Sequence, residues 1–273
     1  MEAAKAQGVT VCGTGAAGQP TAALAWAILL GLACQIPAHD SGMKAGRWQT
    51  KLNGDLGGKT LGVLGLGKLG SAVAKVGLAF GMDVIAWSQN LTDERAAEVG
   101  VRRVDKDTLM SQSDYISIHL ILSDRSRGLI GAADLARMKS SAYLVNTSRG
   151  PIVDEDALLK ALQDRQIAGA GIDVYSVEPL PADSPLWELP NAIIAPHTAA
   201  ISTDEPRLIA ELFVENARRF LDGEPLIVAE QSEARHQIDG SLSTPRILRL
   251  DRRTARDEIA LTLASFGRTR RSL

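Results

Sequence analysis

The chain has 273 residues, of which 45% are hydrophobic and 23% charged, with a formal net charge of −2. That length supplies one large or two ordinary domains with a sizeable core, and the composition is that of a soluble globular protein. A balanced charge provides no global field for nucleic acid or an anionic membrane, and Cys12 and Cys34 alone give neither a disulfide framework nor metal-ligand spacing.

In chain order, residues 8–12 (GVTVC) read as a short strand, and Pro20 with Thr21 opens a long apolar helix. Its longest apolar run, 22–34, has 13 residues, too short to span a bilayer. No basic leader marks a signal peptide, so a reduced, cytoplasmic protein is expected. From residue 60 to 195 short apolar runs alternate with helical patterns. Strands are expected at 60–64, 83–88, 115–119, 142–146, 168–174 and 192–195, and helices at 70–80, 93–99, 132–138 and 154–163. A second long helix runs roughly over 205–221 and ends at Asp222-Gly223. After Val228 the character changes: the last 45 residues hold nine arginines, no lysine and six acids, with a helix around 255–266. The acids offset the arginines and no aromatic residues interleave with them, so no nucleic-acid arm is expected.

Strands that are nearly continuous apolar runs, alternating with helices, predict an α/β fold of the doubly wound, Rossmann type, with a parallel sheet covered on both faces. Ligands of such sheets bind at the carboxyl ends of the strands. "TLGVLGLGKLGSAVAKVG" places Gly65, Gly67 and Gly70 as G-x-G-x-x-G between a strand and a helix, with Lys68 and Leu69 inside the motif. The first glycine allows a tight turn, the second lets backbone approach a pyrophosphate, and the third lets helix and strand pack closely. Amides at the helix start then face the anion. The pattern alone is weak, since methyltransferases use similar turns. The strand–turn–helix–strand setting favours a dinucleotide. The next strand ends in Ser88, eighteen residues beyond Gly70, where an acid would bind the ribose hydroxyls. Serine can still bond a hydroxyl and removes a charge that would repel a 2′-phosphate, yet neither Gln89 nor Asn90 is an arginine. NAD is the expected cofactor and NADP stays open.

Three polar residues follow three successive strand ends. Arg149 lies in the loop after "YLVN", Glu178 in a proline-rich loop after "GAGIDV", and His197 directly after "NAIIAP". A lone histidine closing a strand is more often structural than functional, an isolated loop glutamate is usually solvated, and Asp154, Glu155 and Asp156 suit a helix's first turn. Their coincidence on the side predicted for the cofactor argues otherwise. A guanidinium can hold a carboxylate by two parallel hydrogen bonds, and an imidazole beside a carboxylate can pass a proton to or from a carbonyl oxygen. No metal is called for.

The segments "GLGKLG", "HLILSDRSRGLI", "NTSRGPIVDEDAL", "GIDVYSVEP" and "APHTA" together resemble the D-isomer-specific 2-hydroxyacid dehydrogenases, from about residue 8 to 228. The resemblance implies an NAD(P)-dependent oxidoreductase acting on a small D-2-hydroxy or 2-keto acid, with Arg149 binding substrate, Glu178 partnering the histidine and His197 as acid/base. It implies that Asp173 lies near the nicotinamide, that His119, Leu120 and Ile121, in the segment 119–122, border the adenine, and that Thr147 completes the cofactor set. His119 itself reads as a structural strand-end residue. A homodimer paired through the cofactor domain is also implied. The expected organisation is a remnant of an incomplete flavodoxin-like substrate lobe over 1–20, a dinucleotide domain over 21–200, a returning helix within 201–228, and a non-homologous tail over 229–273, partly disordered. Two departures stand out: the family's substrate lobe normally begins well before residue 1, and Ala199-Ala200 stand where the family usually has a glycine nearby. Competing readings are a dinucleotide-binding regulatory or scaffold protein that lost turnover, and a methyltransferase, which leaves Arg149, Glu178 and His197 unexplained.

Overall fold

The computed structural model describes residues 19–203 and 205–227, together with Ala6 and Cys12. The expected strand at 8–12, the substrate-lobe remnant and the tail therefore lie outside the described residues, Cys12 and a few flanking positions apart. One compact unit comprises Ala17–Ser202, while the helix that follows belongs to a second unit.

The first unit is a seven-stranded, all-parallel sheet. Its strands are β1 (Thr60–Leu64), β2 (Asp83–Trp87), β3 (Arg102–Arg103), β4 (Tyr115–Ile118), β5 (Tyr143–Asn146), β6 (Gly169–Ile172) and β7 (Ala192–Ile194), in the spatial order β3-β2-β1-β4-β5-β6-β7. The order reverses between β1 and β4, which makes their carboxyl ends the topological switch point of a doubly wound fold. Side chains alternate between two cores. Leu61, Val63, Val84, Ala86 and Val145 face one, and Leu64, Ile85, Ile116, Ile118, Leu144 and Ile172 face the other. Burial on both faces explains why these strands read as unbroken apolar runs rather than alternating ones.

Helix α1 (Gln19–Ala33) is apolar on nearly every face because it is a core helix: Ala25, Trp26, Ile28, Leu29 and Leu32 are buried. It packs against β5, β6, β7 and α3 (Lys68–Ala79), and its Trp26 Nε1 donates to the Val73 carbonyl at 3.2 Å. A second short helix, α2 (Ile36–Lys44), follows it. Among the described residues no single helix is long and apolar enough to cross a membrane. The helices α4 (Asp93–Val99), α5 (Lys106–Gln112), α6 (Ala132–Leu135) and α7 (Glu155–Gln163) fill the crossovers. Side chains at their N-caps set several starts: Thr92, Asp105 and Asp154 accept from the amides of Arg95, Thr108 and Ala157 at 3.2, 2.7 and 3.1 Å.

Several boundaries differ from the sequence reading. The second strand stops at Trp87, before Ser88, and the third expected strand stops at Ile118, before His119, because both residues already begin the turns over the carboxyl rim. The strand expected over 168–174 is the shorter Gly169–Ile172, and the helix expected over 132–138 is four residues long. The glycine-rich helix begins at Lys68 rather than residue 70. In the second unit, α8 (Glu205–Asp222) extends one residue beyond expectation, and its buried Asn216 exchanges two hydrogen bonds with the Ile227 backbone at 2.7 and 3.2 Å.

Candidate active site

At the carboxyl end of β1 the chain turns through Gly65, whose φ of +99° suits only glycine and whose amide donates to the Trp87 carbonyl at 2.8 Å. A Cβ on Gly65 would approach the His119 carbonyl oxygen to 2.5 Å, and one on Gly70 would overlap the Gly65 carbonyl oxygen. The turn is thus folded against β4 and against the first turn of α3. Gly67, the N-cap of α3, has open space where its Cβ would stand, and Lys68 beside it is exposed. An open glycine at the head of a 12-residue helix whose first amides lack intrahelical partners fits a pyrophosphate. Nearby strand ends carry two more groups suited to a ligand: the Thr147 hydroxyl and His119 Nδ1 are buried without a hydrogen-bond partner. His119 Nε2 is engaged with the Ser117 hydroxyl at 2.8 Å, and burial lowers the ring's pKa to about 4, so the ring is neutral at ordinary pH. Leu120 is partly buried and Ile121 exposed just beyond it, and Ser88 is half-buried at the end of β2.

Across the sheet, β5, β6 and β7 are neighbours, with Asn146 paired to Ile172 and Ile172 to Ile194. Arg149, Glu178 and His197 follow these three ends. Asn146 fixes the first loop by accepting from the Ser148 amide and donating to the Arg149 carbonyl, both at 3.0 Å, while the Ser148 hydroxyl reaches the Ile118 carbonyl at 2.7 Å. Gly150 then presses on the Tyr175–Ser176 backbone so closely that a Cβ there would overlap the Tyr175 carbonyl. This packing joins the arginine loop to the glutamate loop. The Arg149 guanidinium is exposed and donates to the Ser148 carbonyl at 2.6 Å, making no contact with Glu178 or His197.

Glu178 and His197 are brought into direct contact: Glu178 Oε2 lies 2.7 Å from His197 Nδ1, and the other oxygen accepts the Tyr175 amide at 2.9 Å. The side chains remain 33% and 40% exposed, so Nε2 of the histidine stays within reach of a small molecule. Asp173 is fully buried beneath the histidine loop, with its two oxygens accepting the Thr198 and Ala199 amides at 2.9 Å each. Those bonds hold a segment in which His197 has φ +52°. The Tyr175 hydroxyl clamps the same loop by donating to the Ala195 carbonyl at 2.8 Å, and burial pushes its pKa up to about 12, assisted by the charge of Asp173.

The sequence reading missed Asn146, Ser148, Gly150 and Tyr175 as site residues. Their signals are faint, since a strand-end asparagine or a buried tyrosine looks like ordinary structure. Glu155, read as a helix-dipole residue, also accepts the Ser176 amide at 2.8 Å. Among the described residues no group of three or more His, Cys, Asp or Glu is placed to hold a metal ion.

Comparison with known proteins agrees with this architecture. Residues 26–199 match the family described as D-isomer specific 2-hydroxyacid dehydrogenase, NAD binding domain. A glyoxylate reductase of Korarchaeum cryptofilum is 38% identical over 231 residues, covering 82% of this chain and 70% of the relative. The structure of a D-isomer specific 2-hydroxyacid dehydrogenase from Xanthobacter autotrophicus, in complex with NADPH and MES, superposes with a TM-score of 0.67 at 36% identity, covering 80% of this chain and 90% of that one. That of D-lactate dehydrogenase with NAD+ from Lactobacillus jensenii gives 0.74 at 28%, covering 84% and 74%. A doubly wound sheet, a glycine turn at its switch point and these matches together show that the chain belongs to the D-isomer specific 2-hydroxyacid dehydrogenases, oxidoreductases that act on 2-hydroxy and 2-keto acids with a nicotinamide dinucleotide.

Proposed function

We propose that this chain interconverts a small 2-keto acid of the glyoxylate or hydroxypyruvate class and the corresponding D-2-hydroxy acid, with His197 as acid/base. The observation that carries this reading is the 2.7 Å pairing of Glu178 with His197 Nδ1, which leaves Nε2 as the proton-carrying atom. When bound, the dinucleotide supplies hydride to the substrate carbon or accepts it. As negative charge grows on the carbonyl oxygen, protonated Nε2 donates a proton and completes the hydroxyl; in oxidation it takes that proton back. Glu178 fixes the ring's orientation. Arg149 is exposed on the loop after β5, next to the Gly150 that packs on the glutamate loop, and exchanging its hydrogen bond to Ser148 for a substrate carboxylate gives a charge-assisted fork that also polarises the carbonyl. Asp173 and Tyr175 hold the histidine loop beneath the nicotinamide end. Gly65, Gly67, Lys68, Leu69 and Gly70 hold the pyrophosphate, with Ser88 at the ribose, His119, Leu120 and Ile121 along the adenine, and Thr147 offering its unpartnered hydroxyl.

The protein acts as a homodimer in this reading. Exposed Ile36, Met43, Trp48 and Leu52, on α2 and the loop after it, support a self-association face within the cofactor unit. A cytoplasmic location is proposed from cysteine usage, since Cys12 and Cys34 are both free.

The test is oxidation of NADPH and NADH with glyoxylate and with hydroxypyruvate, over a pH series, for the parent and for Glu178→Gln. Loss of turnover in Glu178→Gln with dinucleotide affinity retained supports the reading, and parent-like turnover at every pH overturns the pairing. Dinucleotide binding without turnover, unchanged by His197→Ala, would instead mark a scaffold protein of the same fold.

A further inference from the structure

The residue at the end of the second strand ordinarily decides between a ribose 2′-hydroxyl and a 2′-phosphate, because a carboxylate there bonds the first and repels the second. We infer that this chain selects the 2′-phosphorylated dinucleotide, NADP(H), and that Arg95, on α4 rather than at the strand end, supplies the cation that reads the phosphate. The inference rests on the dinucleotide-binding reading above and adds a specificity residue to it.

Four observations carry it. First, the segment from Trp87 to Thr92, WSQNLT, contains no acid, so nothing at the strand end repels a phosphate. Second, the chain reverses at once after β2. The Ser88 carbonyl accepts the Leu91 amide at 3.1 Å, and Thr92 caps α4 by accepting the Arg95 amide. The start of α4 is thereby returned to the start of α3. Third, Arg95 Nη2 donates to the Ser71 hydroxyl at 3.2 Å, and that hydroxyl donates to the Leu66 carbonyl at 3.3 Å, between the first two glycines of the turn. The guanidinium is therefore tied to the glycine-rich turn itself. Fourth, it remains available. The Arg95 side chain is 46% exposed, and its ion pair, to Glu98 at 2.8 Å, is made on the surface, where such pairs contribute little. Of the other acids on this helix, Asp93 lies 3.5 Å from Arg103, and Glu94 is fully exposed on the first turn. A phosphate dianion at the ribose offers Arg95 a stronger, bidentate partner than Glu98 does.

The deciding experiment titrates the purified chain calorimetrically with NADPH, NADH and the fragment 2′,5′-ADP, for the parent, Arg95→Ala and Ser88→Asp. The parent binds NADPH about ten-fold or more tightly than NADH, as expected for one charge-assisted contact. Arg95→Ala removes that advantage for NADPH and 2′,5′-ADP and leaves NADH affinity in place, which also reports that the variant is folded. Ser88→Asp, at the half-buried end of β2, places the repelling carboxylate there and lowers NADPH affinity likewise. Equal or tighter NADH binding by the parent overturns the inference, as does an Arg95→Ala variant that weakens both dinucleotides alike. Binding of neither dinucleotide overturns the functional reading beneath it.

Discussion

Around β1 and β2 the carboxyl rim of the sheet is shaped by what is missing. Gly65 and Gly70 leave room for backbone to touch backbone, Gly67 leaves room for a ligand, and Ser88 leaves out a charge. Around β5, β6 and β7 the same rim is held by polar side chains. Asn146 spans its loop, Asp173 takes two amides of the histidine loop, Tyr175 takes a third group, and Glu178 holds the imidazole. In the proposed function the contrast follows from the tasks. A pyrophosphate is recognised by unpaired backbone amides that need only space, whereas a proton-transfer centre needs one ring held at one angle.

The sharpest way to break the comparison is His197→Ala. Removing the proposed acid/base should lower turnover by roughly 10²- to 10⁴-fold while leaving dinucleotide affinity unchanged, since the two halves are built separately. A parallel loss of affinity, measured by titration, would show that they are not. Gly70→Ala attacks the other half: the new methyl overlaps the Gly65 carbonyl, and relieving an overpacked backbone contact costs about 1–3 kcal/mol. Folding stability should fall by about that free energy, and dinucleotide affinity should fall as the turn is displaced. Wild-type affinity in that variant would mean the turn closes differently.

Asp173→Asn tests the polar clamp. One of the two accepting oxygens becomes an NH₂ facing a backbone N–H, so a buried donor is left unsatisfied at about 1–3 kcal/mol. The melting temperature and turnover should drop together, with dinucleotide affinity less affected. The smallest effect belongs to His119, a partly buried residue whose Nδ1 is sealed in. Its pKa is depressed by burial to about 4, below the ordinary 6.5, so the unfolded chain binds the proton first as pH falls. Stability should therefore decline between about pH 6.5 and pH 4, on the order of 1 kcal/mol by pH 6, and urea titrations of His119→Gln should show a flatter dependence.

These two halves were not equally readable from sequence. The glycine turn was legible because steric exclusion leaves a fixed spacing of one residue type. The placement of Arg149, Glu178 and His197 after three strand ends was legible because parallel topology sends the chain to the same rim after every strand. The clamps were not, since Asn146 and Tyr175 act through hydrogen bonds to backbone that any strand end could make. Fold boundaries failed for a similar reason. β3 consists of Arg102 and Arg103, both exposed on an edge strand, so no apolar run announces it. α5 depends on its Asp105 cap and on Leu109 and Met110 reaching the core, too short a pattern to stand out. The Rossmann-type sheet itself was plain, because burying both faces demands the apolar runs that reveal it.

The positive φ at His197 has an evolutionary consequence. An L-residue with a Cβ gives up on the order of 1 kcal/mol in that conformation, and glycine or asparagine gives up less. Selection for thermal robustness alone would thus drift this position toward residues that ease the bend and carry no proton. In the proposed function, a histidine at such a bend gives up folding preference in exchange for chemistry.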